Sequence, residues 1–180
     1  MQMRRPSLWF GCFFTALSLI TLALIIFDTH RLPIFGHFEI ITQIIFLVGL
    51  SGLQGQRIFQ QLHPGLISPV MTGSWMLSLL LLILLYFFPK TVNPDFYMYG
   101  HASVQVFFNF RICAGSFFLI GALNICVSPL KNAPIHALYT ARNFLLIGAI
   151  CFLISECAGS FWCLNWYGDS WHWSKGFLKA

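Results

Sequence analysis
Long apolar runs recur five times along this chain, and each is close to the length that crosses a bilayer. The runs cover about 8–27, 38–53, 69–88, 102–127 and 142–161. A helix rises about 1.5 Å per residue, so roughly 20 apolar residues cross a hydrocarbon core of about 30 Å. Inside that core every backbone N–H and C=O must find its partner within the protein, and a helix does this within each run. Five crossings and their short loops use up the 180 residues. The expected fold is an all-α, polytopic integral membrane bundle of about five transmembrane helices. It forms a single membrane-embedded domain over 1–180, ending in a tail at 162–180.

Composition supports this solvent. The chain is 58% hydrophobic and 8% charged, against about 25% charged residues in soluble domains, and its mean hydropathy is +0.77. The formal charge of +5 comes from basic residues scattered singly through loops and ends, which forms no nucleic-acid patch. The partner this composition names is the lipid bilayer. Six cysteines form no CxxC pair, and Cys12, Cys113, Cys126 and Cys151 sit within apolar runs, as packing residues do. The first run follows Arg4 and Arg5, is too long for a typical signal-peptide core and lacks a clear cleavage site, so it reads as an uncleaved helix. No Walker loop, nucleophile elbow, HExxH or CxxCH is present, and no catalytic residue is assigned.

Orientation follows from the positive-inside rule. With the N-terminus in the cytoplasm, Arg4, Arg5, Arg57, Lys131 and Arg142 lie inside, and Arg31, Lys90, Lys175 and Lys179 outside. The five acids, Asp28, Glu39, Asp95, Glu156 and Asp169, all fall on or near the outer side. The tail and the loops before the second and fourth helices then share the extracytoplasmic face of a bacterial inner membrane or an organelle equivalent.

The tail is the most distinctive segment. Trp162, Trp166, Trp171 and Trp173 are four of the six tryptophans, and they are interleaved with Gly168, Asp169 and His172. Indoles prefer the headgroup level, so an interfacial belt is one reading. Glycines admit close backbone approach and indoles offer stacking faces with a donor N–H. A shelf for a large planar cofactor is the other reading, and the residues alone leave both open.

The run Gly168-Asp169-Ser170-Trp171-His172-Trp173-Ser174, with Glu156 and Gly159-Ser160-Phe161-Trp162 ahead of it, resembles the tryptophan-rich WWD signature of the heme-handling CcsA/ResC group of cytochrome c biogenesis. Ser174 stands where that family carries aspartate. Pro33 to Glu39 resembles the family's approach to an early helix, His101-Ala102-Ser103 the opening of its histidine-bearing helix, and Arg142 the basic residue leading into the next. The resemblance implies a non-covalent, b-type heme on the outer face. Family histidines flank the WWD segment as iron ligands, and the first corresponds to His101. It also implies service to an apocytochrome c and assembly with other membrane subunits of a cytochrome c assembly complex.

The histidines can also be weighed by position. His30, His37, His101 and His172 fall on the outer side, and neutral imidazole is a common iron ligand. His101 and His172 are the candidate metal ligands, with His37 a rival. Trp162, Trp166, Trp171 and Trp173 are the candidate porphyrin contacts. Arg111, about nine residues into the fourth run, is a charge at membrane depth and is expected to face the bundle interior or a polar cavity. Gln105 and Asn109 are expected near it. Its candidate partners are a heme propionate, a quinone or Glu156. Small residues at Gly115, Ser116, Gly121, Ala122, Gly148, Ala149, Ala158 and Gly159 suit close helix packing. Two other functions compete: a membrane anchor of a respiratory complex contacting heme b or quinone, and a structural membrane subunit with no cofactor.

Overall fold
The computed structural model describes residues 4–34, 36–62, 69–89, 101–127 and 134–167. These form five helices and no strand: α1 (Arg4–Thr29), α2 (Gly36–Leu62), α3 (Pro69–Tyr86), α4 (Ala102–Val127) and α5 (Pro134–Tyr167). Four carry apolar spans long enough to cross a membrane: Leu8–Thr29, Gly36–Arg57, Ala102–Cys126 and Leu138–Asn165. The apolar part of α3, Val70–Tyr86, is shorter. Large apolar side chains such as Phe13, Phe27, Leu80, Leu153 and Phe161 point outward. In water such a surface would be an aggregation site; here it is the surface that lipid solvates. The chain is an all-α integral membrane protein.

α4 occupies the expected 102–127, and the bounds of α1 and α3 differ from expectation by a few residues at their ends. Two helices run longer than their apolar runs. α2 passes beyond its apolar run through the polar Gln54–Arg57 and continues to Leu62. Gln and Arg are good helix formers, and Gln56 is buried, so polarity there marks the end of the hydrocarbon and not of the helix. Gln60 and Gln61 are helical; His63, Pro64 and Gly65 lie outside the described residues. α5 starts at Pro134, eight residues ahead of its apolar run. Proline suits the first helical position, where its missing N–H has no partner to lose. At its other end α5 carries Trp162–Tyr167 inside the helix, not in an irregular tail.

α2 sits at the centre of the bundle, touching α1, α3 and α4, while α4 makes its most extensive contact with α5. That contact has a heptad register. Ser155 Oγ donates to the Phe107 carbonyl at 2.8 Å. Seven residues back on α5, a Cβ added at Gly148 would lie 3.3 Å from the Ala114 carbonyl. Seven residues further along α4, one added at Gly121 would lie 3.4 Å from the Ala141 carbonyl. Small residues at this spacing let the two backbones approach, which drives helix association where lipid removes the hydrophobic advantage.

The α1–α2–α3 side closes by a related device. The Trp75 indole lies directly on Gly11, and a Cβ at Gly49 would meet Thr15 Oγ1 at 2.6 Å. A cavity of about 220 Å³ remains between these helices, bounded by Phe10, Phe14 and Trp75. Polar side chains within the spans mostly bond to their own helix one turn back. Thr15 donates to the Gly11 carbonyl at 2.8 Å, Ser116 to Ile112 at 2.9 Å and Asn124 to Ile120 at 2.9 Å. Such back-bonding satisfies a hydroxyl or amide without a neighbouring helix.

Candidate functional site
His101 caps α4. Its carbonyl accepts from the N–H groups of Val104 and Gln105, both at 3.1 Å, and its side chain is exposed. One turn further in, Val104 is fully buried with Ile34 and Ile112, and Ile40, Ile44, Phe108 and Trp162 pack around them. Trp162 comes from the far end of α5. Its ring centroid lies 5.9 Å from that of Phe107 and 6.3 Å from that of Phe108. Three segments remote in sequence therefore meet at one end of the bundle: the α1–α2 loop with the start of α2, the start of α4 and the end of α5. The Trp162 indole N–H is buried there without a hydrogen-bond partner among the described residues.

The α1–α2 loop is tied to the first turn of α2 beside this cluster. Arg31 donates through both terminal nitrogens to the two carboxylate oxygens of Glu39, each at 2.8 Å, and also to the Leu32 carbonyl at 3.0 Å. Glu39 is fully buried, so this planar fork replaces the water that the carboxylate loses. The turn needs the left-handed region at both ends, with φ of 52° at His30 and 73° at Gly36. Glycine takes that conformation without steric cost. His37 stacks on Phe88 with ring centroids 4.6 Å apart and planes within 8°, on the side of α3 and not of α4.

About 14 Å along α4 from its first residue, Arg111 forms an ion pair with Glu156 of α5. Its guanidinium also lies 4.6 Å from the Phe107 ring centroid and 5.4 Å from that of Phe152. Of the partners expected for Arg111, Glu156 is the one this chain supplies. The aromatic faces add cation–π attraction, which strengthens when water is excluded. Gln105 and Asn109, expected beside Arg111, serve a different contact. Gln43 Nε2 of α2 donates to Asn109 Oδ1 at 3.2 Å, and Asn109 Nδ2 donates to the Gln105 carbonyl at 2.9 Å. Residues two positions apart on a helix are rotated by about 200°, which sends Asn109 towards α2 while Arg111 meets α5.

The structure thus brings Trp162 into one aromatic cluster with the first turns of the helix that His101 caps, and sets Arg111 below Phe107. Trp166 lies in the last turn of α5. His172, Trp171 and Trp173 lie outside the described residues. Among the described residues, no three His, Cys, Asp or Glu side chains converge as a metal-ion cage. Heme iron needs only one or two axial side chains, because the porphyrin fills the equatorial positions. Sequence reasoning missed Gln43, Ser155 and the Arg31–Glu39 fork. The spacing of Arg31 and Glu39 around a proline was a usable signal; the partners of Gln43 and Ser155 had none.

No protein-family model, curated protein or solved structure matches the chain.

Proposed function
We propose that this chain binds and handles heme at the membrane face on which Trp162 and His101 lie, within cytochrome c maturation. One observation carries the reading: the Trp162 indole is built into the cluster that begins the His101 helix, and its buried N–H has no partner among the described residues. An unmade buried hydrogen bond costs about 1–3 kcal/mol. An acidic ligand edge, such as a porphyrin propionate, would remove that cost. The residues present fit heme in donor type: imidazole for iron, and indole for the ring face and its carboxylates.

In this proposal His101 would be the residue that holds the iron. His172 belongs to the site by sequence, as do Trp171 and Trp173, which with Trp162 and Trp166 supply stacking faces. Arg111 acts as a positioning residue: paired with Glu156, it sets the Phe107 ring against which Trp162 rests. Bound heme would supply the vinyl groups to which the thiols of an apocytochrome c add. The chain itself supplies no nucleophile to that reaction. Its N-terminus is cytoplasmic, its tryptophan segment is extracytoplasmic, and its partners are the apocytochrome and other membrane subunits of the assembly.

Hemin titration of the purified chain in detergent, followed by the Soret band, tests this. A saturable red shift is expected, lost in the His101→Ala/His172→Ala double variant. Trp162→Phe keeps a ring in the cluster but deletes the N–H, and is expected to weaken binding about tenfold. No Soret shift in the parent chain, or an unchanged shift in the double variant, overturns the proposal.

A further inference from the structure
A groove opens at the opposite end of the bundle from Trp162. Hydropathy sets its depth: the apolar span of α1 begins at Leu8, and that of α2 ends at Arg57. The two helices are antiparallel neighbours, so both residues mark the same boundary between hydrocarbon and headgroups. The groove, about 540 Å³ in volume, straddles this boundary between α1 and α2. Its walls on the hydrocarbon side are Leu8, Cys12, Leu50 and Leu53. Towards the headgroups it is lined by Gln54, Gln56 and Arg57, of which Gln54 and Arg57 are exposed.

Charge at this end has one sign among the described residues. Asp28 and Glu39 stand at the far ends of α1 and α2, and Glu156 is on α5. Arg57 makes no ion pair with any of them. An apolar trough that ends in amides and a guanidinium matches an amphiphile with a hydrocarbon chain and an acidic head. Small-molecule sites commonly have volumes of about 300–1,000 Å³, and basic pockets between transmembrane helices suit anionic lipid headgroups.

We infer that the α1–α2 groove is a binding site for one anionic phospholipid, with an acyl chain along Leu50 and Leu53 and the phosphate diester at Arg57 and Gln54. The site is independent of heme and lies at the other membrane face. It ties the N-terminal helix pair to the charge of the surrounding leaflet.

Native mass spectrometry of the full chain, released from micelles containing equimolar phosphatidylglycerol and phosphatidylcholine, tests the inference. One phosphatidylglycerol per chain is expected, retained roughly fivefold over phosphatidylcholine, the ratio one basic residue supplies near a lipid surface. Arg57→Gln is expected to abolish that preference and Arg57→Lys to keep it, with circular dichroism confirming that both variants are folded. Arg142→Gln removes an exposed arginine from α5 and should leave the ratio unchanged. Equal retention of the two lipids by the parent chain overturns the site. So does an unchanged preference in Arg57→Gln, an equal loss in Arg142→Gln, or full competition by glycerol 1-phosphate, which has the phosphate and no chain.

Discussion
At the residue scale, two ion pairs within the apolar body are found among the described residues, and they are expected to behave differently. Arg31 and Glu39 form a two-point fork around a fully buried carboxylate. Removing Arg31 takes two charge-assisted hydrogen bonds from a buried carboxylate, and breaking a buried pair typically costs about 3–5 kcal/mol. Arg31→Ala is therefore expected to lower thermal stability in detergent severely, read by circular dichroism at the helix band. Arg111 and Glu156 keep 26% and 19% of their side-chain surface exposed. Exposure lets water or detergent headgroups compensate a lone charge, so Glu156→Gln is expected to cost only about 1–2 kcal/mol. The Arg111→Met/Glu156→Met double variant should recover much of that loss, because apolar replacement of both partners removes the desolvation penalty altogether. A double variant less stable than either single one would show that the pair does more than satisfy itself.

At the element scale, glycine positions divide into contacts and spare positions. A Cβ at Gly148 would lie 2.8 Å from the Phe118 ring, whereas one at Gly115 meets nothing within 4 Å. Gly148→Val is expected to push α4 and α5 apart and to reduce thermal stability by several degrees. Gly115→Ala should be neutral or stabilising, by up to about 1 kcal/mol, since alanine is the better helix former. Both changes add bulk to a glycine in the same helix pair, so opposite outcomes would locate the seam. The sequence does show the small residues, and their seven-residue spacing is visible in retrospect. Which of them face the partner helix depends on the rotation of each helix about its axis, and no local propensity sets that angle.

For the whole molecule, the decisive quantity is the number of crossings. Four helices carry full-length apolar spans, and α3 has the shorter apolar stretch Val70–Tyr86. At about 26 Å it approaches a hydrocarbon core of about 30 Å, and slight thinning of the bilayer accommodates such a mismatch. If α3 crosses with the rest, the two termini lie on opposite membrane faces. Reporter fusions at each end are expected to give opposite localisation, with the N-terminal one cytoplasmic. Termini on the same face would mean that α3 stops short of crossing, against the packing of Ile34 in the α1–α2 loop on Val104 at the start of α4.

The sequence by itself determined the solvent and the class of fold. The apolar runs at 8–27 and 102–127 were enough for this, because hydrocarbon admits few ways to satisfy a backbone, and run length is a one-dimensional property. It also marked His101 as a helix opening and Arg111 as a charge with a polar partner. Only the tertiary structure decided who meets whom. It joined Trp162 to Phe107, Phe108 and Ile34, turned Asn109 to Gln43 and away from Arg111, and carried α2 and α5 past the ends of their apolar runs. Those choices depend on helix rotation and register, which come from packing between segments far apart in the chain. Hydropathy reads where a helix meets lipid, and it is blind to the face one helix turns to another.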